Sequence, residues 1–197
     1  MNRVLAAAAI WAILCVGAHA APASTDPAKV PAGDYVLDKK HASLVAKIAH
    51  MGFSRFTMRF NSLQGSFTYD PAAWQSAAVT VEVDAASIDT GAPAFNKEIA
   101  GFFDADKYPK IVFVSHGFEA VNGASAKLVG DLTFHGVTKP VTLDVTFNGV
   151  GPGVMGGTRL GFSGSGRINR SDFGVKSVSG YASDDVDLLI EVEFYKK

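Results

Sequence analysis

Residues 132–145 read LTFHGVTKPVTLDV, the order expected of two short strands joined by a turn. Leu132 and Phe134 share one face before the turn, and Val141, Leu143 and Val145 share it afterwards. Thr142 and Asp144 face the other way. Alternation of this kind belongs to strands with one buried and one wetter face. It recurs along the chain. Leu44, Ala46, Ile48 and His50 alternate with Ser43, Val45, Lys47 and Ala49, and Phe56, Met58 and Phe60 with Arg55, Thr57 and Arg59. Val79, Val81 and Val83 alternate with Thr80, Glu82 and Asp84, and the run from Val186 to Phe194 continues the pattern. A large sheet with one oily face follows. What lies against that face, the protein's own side chains or something else, decides the function.

Turn signals punctuate the strands at Asn61-Ser62, Asp70-Pro71, Asn122-Gly123, Asn148-Gly149 and Gly151-Pro152-Gly153. One segment departs from period two: Ala94–Phe103 places Phe95, Ile99, Phe102 and Phe103 at near-helical spacing after Pro93. It reads as a short amphipathic helix lying over the sheet or across an opening. Eight to ten antiparallel strands and one helix leave a sandwich or a closed barrel. Closure removes the exposed edges of a long sheet, and a barrel of about eight strands is either filled by side chains or holds one small ligand. Gly65, Gly130, Gly164, Gly166 and Ala46 stand where large inward residues are expected. Some of them serve strand coiling, and the rest are consistent with space inside.

The first twenty residues read as a separate segment. Asn2 and Arg3 precede an apolar run, Val4–Val16, and Ala18-His19-Ala20 has the small residues of a cleavage site. The run is shorter than the ~20 residues of a membrane span. Cleavage after Ala20 removes the lone cysteine, Cys15, and with it disulfides, thiolate metal ligation and thiol nucleophiles. It also removes Arg3, so the formal net charge of −1 becomes one unit more negative. No basic run appears, which leaves nucleic-acid binding without electrostatic support. Residues 21–33, with Pro22, Pro27 and Pro31, read as a flexible leader, and residues 34–197 as a single domain rich in phenylalanine.

Six local patterns occur in a fixed order: His41-Ala42-Ser43, His50-Met51-Gly52, Ser87-Ile88-Asp89-Thr90, Phe103-Asp104 with Tyr108-Pro109, the run Gly130 to Thr138, and Arg170-Ser171-Asp172-Phe173-Gly174. Together they resemble the YceI-like family of bacterial periplasmic, lipocalin-like proteins, from about Tyr35 to Phe194. The resemblance implies an extended antiparallel β-barrel around an apolar channel that binds polyisoprenoids or related long-chain amphiphiles. It also implies an isoprenoid or similar lipid as partner, with a homodimer as the expected assembly. The chain departs from the family at Met58, where many relatives have glycine. It departs again in the helix, where Phe95-Asn96 and Glu98-Ile99 replace arginine-aspartate and histidine-leucine.

With that resemblance in hand, Phe56, Met58, Phe60, Phe113, Leu132, Phe134 and Phe162 are the expected channel lining. His50 continues an apolar strand face, and Arg170 and Lys176 share a polar loop; these three are the candidates for a head group, a guanidinium being the natural partner of a phosphate. The bland readings are a strand-capping histidine and an Arg170–Asp172 pair that fixes a turn. The four histidines beyond residue 20 form neither HxH nor HExxH, so no metal site or other cofactor is expected. There is no GxSxG elbow, and Ser43 beside His41 is strand alternation. The expected protein is therefore a secreted, periplasmic, non-catalytic carrier. A stress-related interaction module with a filled barrel, and an esterase-like hydrolase, are the readings it competes with.

Overall fold

The computed structural model describes residues 22–197; the expected cleavage segment lies outside the described residues. The strands are β1 (Gly33–His50), β2 (Ser54–Phe60), β3 (Leu63–Tyr69), β4 (Val79–Asp84), β5 (Ile88–Asp89), β6 (Lys110–Asn122), β7 (Ser125–Phe134), β8 (Val137–Pro152), β9 (Thr158–Asn169) and β10 (Ala182–Lys196), with one helix, α1 (Pro93–Phe102). The order β10-β9-β8-β7-β6-β4-β3-β1 is closed by a further antiparallel pairing of β1 with β10. Eight strands thus form a closed antiparallel barrel. Closure settles the choice between sandwich and barrel.

β2 and β5 extend two of these staves. Asn61-Ser62 is not a turn but a break in one continuing stave: before it β2 lies along the second half of β1, with Leu44 opposite Phe60 and Ile48 opposite Phe56, and after it β3 continues in the same direction along the first half. β1 itself bulges outward between Leu37 and Ala42, where four residues face Glu193 alone. Helix α1 follows Pro93, which suits its first turn, and it is tied to β5 by Asn96. The Asn96 carboxamide oxygen accepts from the Thr90 N–H at 2.7 Å and its amide donates to Asp89 at 3.3 Å. This is what the departure at Phe95-Asn96 does here: Phe95 meets Phe56 edge-on, with ring centroids 5.7 Å apart, and Asn96 fixes the helix start.

Two further expectations meet a different geometry. Asn148-Gly149 is not a turn but a bulge within β8, where the register against β9 shifts between Phe147 and Gly149. The leader is seated on the barrel: Ser24 and Val150 exchange both backbone hydrogen bonds, at 2.8 and 2.9 Å. Asp26 caps the 3-10 turn Pro27–Lys29, Val30 is buried, and the Tyr35 hydroxyl donates to the Pro31 carbonyl at 2.7 Å. Proline removes backbone donors, so such a segment is held by a few chosen contacts rather than a ladder.

Candidate functional site

The barrel encloses an apolar cavity of about 590 Å³. Its wall takes Leu44 from β1, Val81 from β4, Leu132 from β7, Val145 from β8, Phe162 from β9 and Ile190 from β10, among others on every stave. Among the described residues, no acidic, basic or histidine side chain belongs to the lining. Many inward residues, including Leu44, Val81, Val141, Val145, Phe162, Leu188, Ile190 and Val192, are half-buried rather than buried. In a filled interior, close packing leaves such residues no accessible surface. The half-burial is the mark of a hollow lumen.

The cavity opens at one end of the barrel. There the lining includes the exposed residues Pro27, Ala28, Pro71, Gly123 and Ser125, which belong to the leader, the β3–β4 loop and the β6–β7 hairpin. Two amphipathic side chains stand in this mouth, Tyr69 and Trp74. Burial, and then the negative charge of Asp70, raise the Tyr69 phenol above its usual range, so it remains a hydrogen-bond donor. Trp74 sits 6.5 Å, centroid to centroid, from Phe118. Its loop is anchored on β6 by buried Ser115, whose hydroxyl accepts from the Val79 N–H at 2.8 Å and donates to the Ala77 carbonyl at 3.3 Å.

The opposite end is closed by aromatic rings. Phe60 and Phe103 lie 6.5 Å apart, Phe103 and Phe134 5.5 Å, and Phe134 and Phe173 5.8 Å. Past these rings Ala46, Ile48 and Val186 form a further buried cluster with Phe56, Met58 and Ile168 around it.

This geometry divides the residues singled out from the sequence. Phe113, Leu132 and Phe162 line the cavity; Phe60 and Phe134 belong to the closing rings, and Phe56 and Met58 to the cluster beyond them. His50 is exposed at the end of β1, and Lys176 is exposed in its loop, both at the closed end. Arg170 is buried there too, its guanidinium donating to the carbonyls of Ser183 (3.0 Å), Val175 (2.6 Å) and Ala182 (3.2 Å). The glycines divide as well. Gly164 lies on the cavity wall, whereas a side chain at Gly130 would come within 2.5 Å of the Val114 carbonyl, so that position answers to strand approach.

Tyr69 and Trp74 were missed by sequence reasoning. Trp74 lies in a loop without periodicity, and Tyr69 is the last residue of its strand. Outside the barrel, Asp38, His41 and Glu193 gather their ligand atoms within 4.8 Å of one another. The place a cation needs is taken by Arg159, which meets Asp38 at 2.5 Å and Glu193 at 3.3 Å. His41, and then Arg159, hold the Asp38 carboxyl far below the ordinary carboxylate range.

Residues 35–194 match the model of the YceI-like domain. A UPF0312 protein of Pseudomonas fluorescens is 40% identical over 206 residues, covering 100% of this chain and 98% of its own. Among solved structures, BcnA of Burkholderia cenocepacia is similar with a TM-score of 0.70 and 26% identity, over 80% of this chain and 98% of that one. A polyisoprenoid binding domain from Saccharophagus degradans, implicated in plant cell wall breakdown, superimposes with a TM-score of 0.64 over 83% of this chain and 98% of that one. At 16% identity the latter bears on the fold alone.

Proposed function

The chain belongs to the YceI-like family, and from that premise we propose that it is a periplasmic carrier of a single long-chain amphiphile, an isoprenoid or similar lipid, held without any chemical step. The observation that carries this reading is the charge-free, half-accessible lumen, open at one end and closed at the other. An apolar chain entering it loses contact with water along its whole length. Burial of each methylene contributes about 0.8 kcal/mol, so ten of them yield roughly 8 kcal/mol gross, a micromolar scale before ordering costs. With about 30 Å³ for each water-sized group, a cavity of about 590 Å³ takes roughly twenty.

Among the described residues the lumen offers no ion pair, so a charged head group stays outside it, near the mouth. Tyr69 and Trp74 are the side chains positioned to hydrogen-bond the first polar atoms of the ligand there. His50, Arg170 and Lys176, at the other end, are left for contacts other than the head group. The resemblance of the six sequence patterns to the YceI-like family supports an isoprenoid as the tail, and the segment ending at Ala20 supports export, with a mature N-terminus at Ala21.

The test is native mass spectrometry of the protein purified from a bacterial periplasm, followed by organic extraction. The expected result is a chain beginning at Ala21 with one stoichiometric lipid. A protein that arrives empty, and takes up neither prenyl alcohols, quinones nor fatty amides, is an interaction module rather than a carrier.

A further inference from the structure

The closed end of the lumen lies inside the barrel, not at its rim. β1, β9 and β10 continue beyond the aromatic rings, carrying Ile48, Ile168 and Val186. The rings themselves come partly from outside the staves. Phe60 and Phe134 are strand residues, but Phe103 follows helix α1 and Phe173 ends the 3-10 turn Arg170–Phe173. Phe103, Phe173 and Phe60 are buried, and the row stands one layer behind the lining: Phe173 and Phe134 pack with Phe113, Leu132 and Leu143, which face the cavity. The row is therefore a floor inserted across a tube whose apolar wall goes on.

The floor is also fastened. His135, next to Phe134, places one ring nitrogen 2.9 Å from the Phe173 carbonyl and the other 3.0 Å from the carboxylate of Asp104, next to Phe103. One side chain thus joins the three segments that bring Phe103, Phe134 and Phe173 together. Tyr108 packs edge-on against the same imidazole at 4.8 Å.

We propose that the row Phe60–Phe103–Phe134–Phe173 is the chain-length ruler of the lumen: a tail enters from the Tyr69–Trp74 mouth and ends against lining side chains, Phe113 and Leu132 among them, that these rings back and hold in place. This rests on the carrier reading. Tails that fill the space above the floor bind best. A longer tail leaves its surplus carbons at the mouth in water, where they add nothing.

A series of linear prenyl alcohols, each one isoprene unit longer than the last, tests this by competition against a fluorescent fatty probe. For the native sequence, affinity rises with length and then levels off. In Phe134→Leu and Phe103→Leu, with folding checked by near-ultraviolet circular dichroism, the plateau moves to longer prenols. The first member beyond the native plateau then gains about tenfold or more in affinity. A second variant works in the opposite sense without opening a hole: Leu132→Phe raises the floor and moves the plateau to shorter prenols. An unmoved plateau in folded variants of either kind overturns the ruler. Failure of the native protein to bind any prenol overturns the carrier reading instead.

Discussion

Arg170 lies beneath the turn that ends β9, with its whole guanidinium spent on three backbone carbonyls. An ammonium on a lysine stem cannot reproduce that planar fork, and each buried carbonyl left without a donor costs about 1–3 kcal/mol. Arg170→Lys is therefore expected to lose roughly 2–4 kcal/mol in urea unfolding, with the lipid affinity of the folded fraction unchanged. A selective loss of prenyl phosphate over the matching alcohol, at unchanged stability, would return Arg170 to the head-group site. The aspartate that serves this turn is Asp184 rather than Asp172. It accepts from the Ser171 N–H at 2.9 Å and the Ser171 hydroxyl at 2.6 Å, and these bonds, aided by nearby Arg170, lower its pKa. A carboxyl that is more acidic in the folded chain than in the unfolded one contributes stability above the unfolded value of about 3.9. That contribution drains away as the pH falls through the folded value. Asp184→Asn is thus expected to be less stable than the native protein at neutral pH, with the gap narrowing towards about pH 3. Unfolding midpoints at the two pH values measure it, and a gap that stays constant removes Asp184 from the acid response.

Among the elements, the leader and the β8 bulge are where the fold departs furthest from what periodicity offers. A side chain at Gly149, whose φ is +155°, would stand 2.9 Å from the Ala23 Cβ and 3.2 Å from the Ser24 carbonyl. The bulge turned aside there is the seat on which the leader rests. Gly149→Val is expected to unseat it. Hydrogen exchange at the Ser24 and Val150 amides should accelerate at least about tenfold, and ligand should leave faster because Pro27 and Ala28 no longer border the mouth. Unchanged protection of those two amides would show that the leader is held by other means. None of this is legible in sequence, because Ser24 and Val150 meet across most of the chain and neither lies in a periodic run on the leader side. Asn148-Gly149 reads as a turn because that dipeptide is a strong turn signal, and the competing fact, a partner seated on the strand, is tertiary. The helix was the opposite case. Pro93 and the spacing of Phe95, Ile99, Phe102 and Phe103 define it locally, and α1 lies within a residue of the expected bounds.

At the scale of the molecule, alternation tells which face of each stave looks inward but not how high a residue stands along the barrel. Height follows from strand tilt and stagger, and these depend on pairings such as Ile48 with Val186 that only the closed ring supplies. Hence Phe113 and Phe162, read as lining, stand at the cavity, while Phe56 and Met58, read from equally clear alternation, stand beyond the floor. The small aliphatic residues that form much of the wall, Val81, Val145 and Ile190 among them, carry no signal that separates lining from ordinary core. The same hollow interior has a thermodynamic consequence. An empty lumen leaves apolar wall in contact with water, so a ligand that binds the folded chain and not the unfolded one stabilises it by mass action. At a free concentration one hundred times Kd this amounts to about 2.7 kcal/mol, or roughly 5–10 °C in Tm for a domain of this size. Stripping the purified protein by organic extraction under refolding conditions should lower Tm by a comparable amount, and a prenol of plateau length should restore it. A prenol too short to reach the floor should restore less, in proportion to the wall it leaves bare. Equal Tm values for the stripped and loaded protein would mean that the interior closes on itself when empty, so that lumen and ligand exchange places at no net cost.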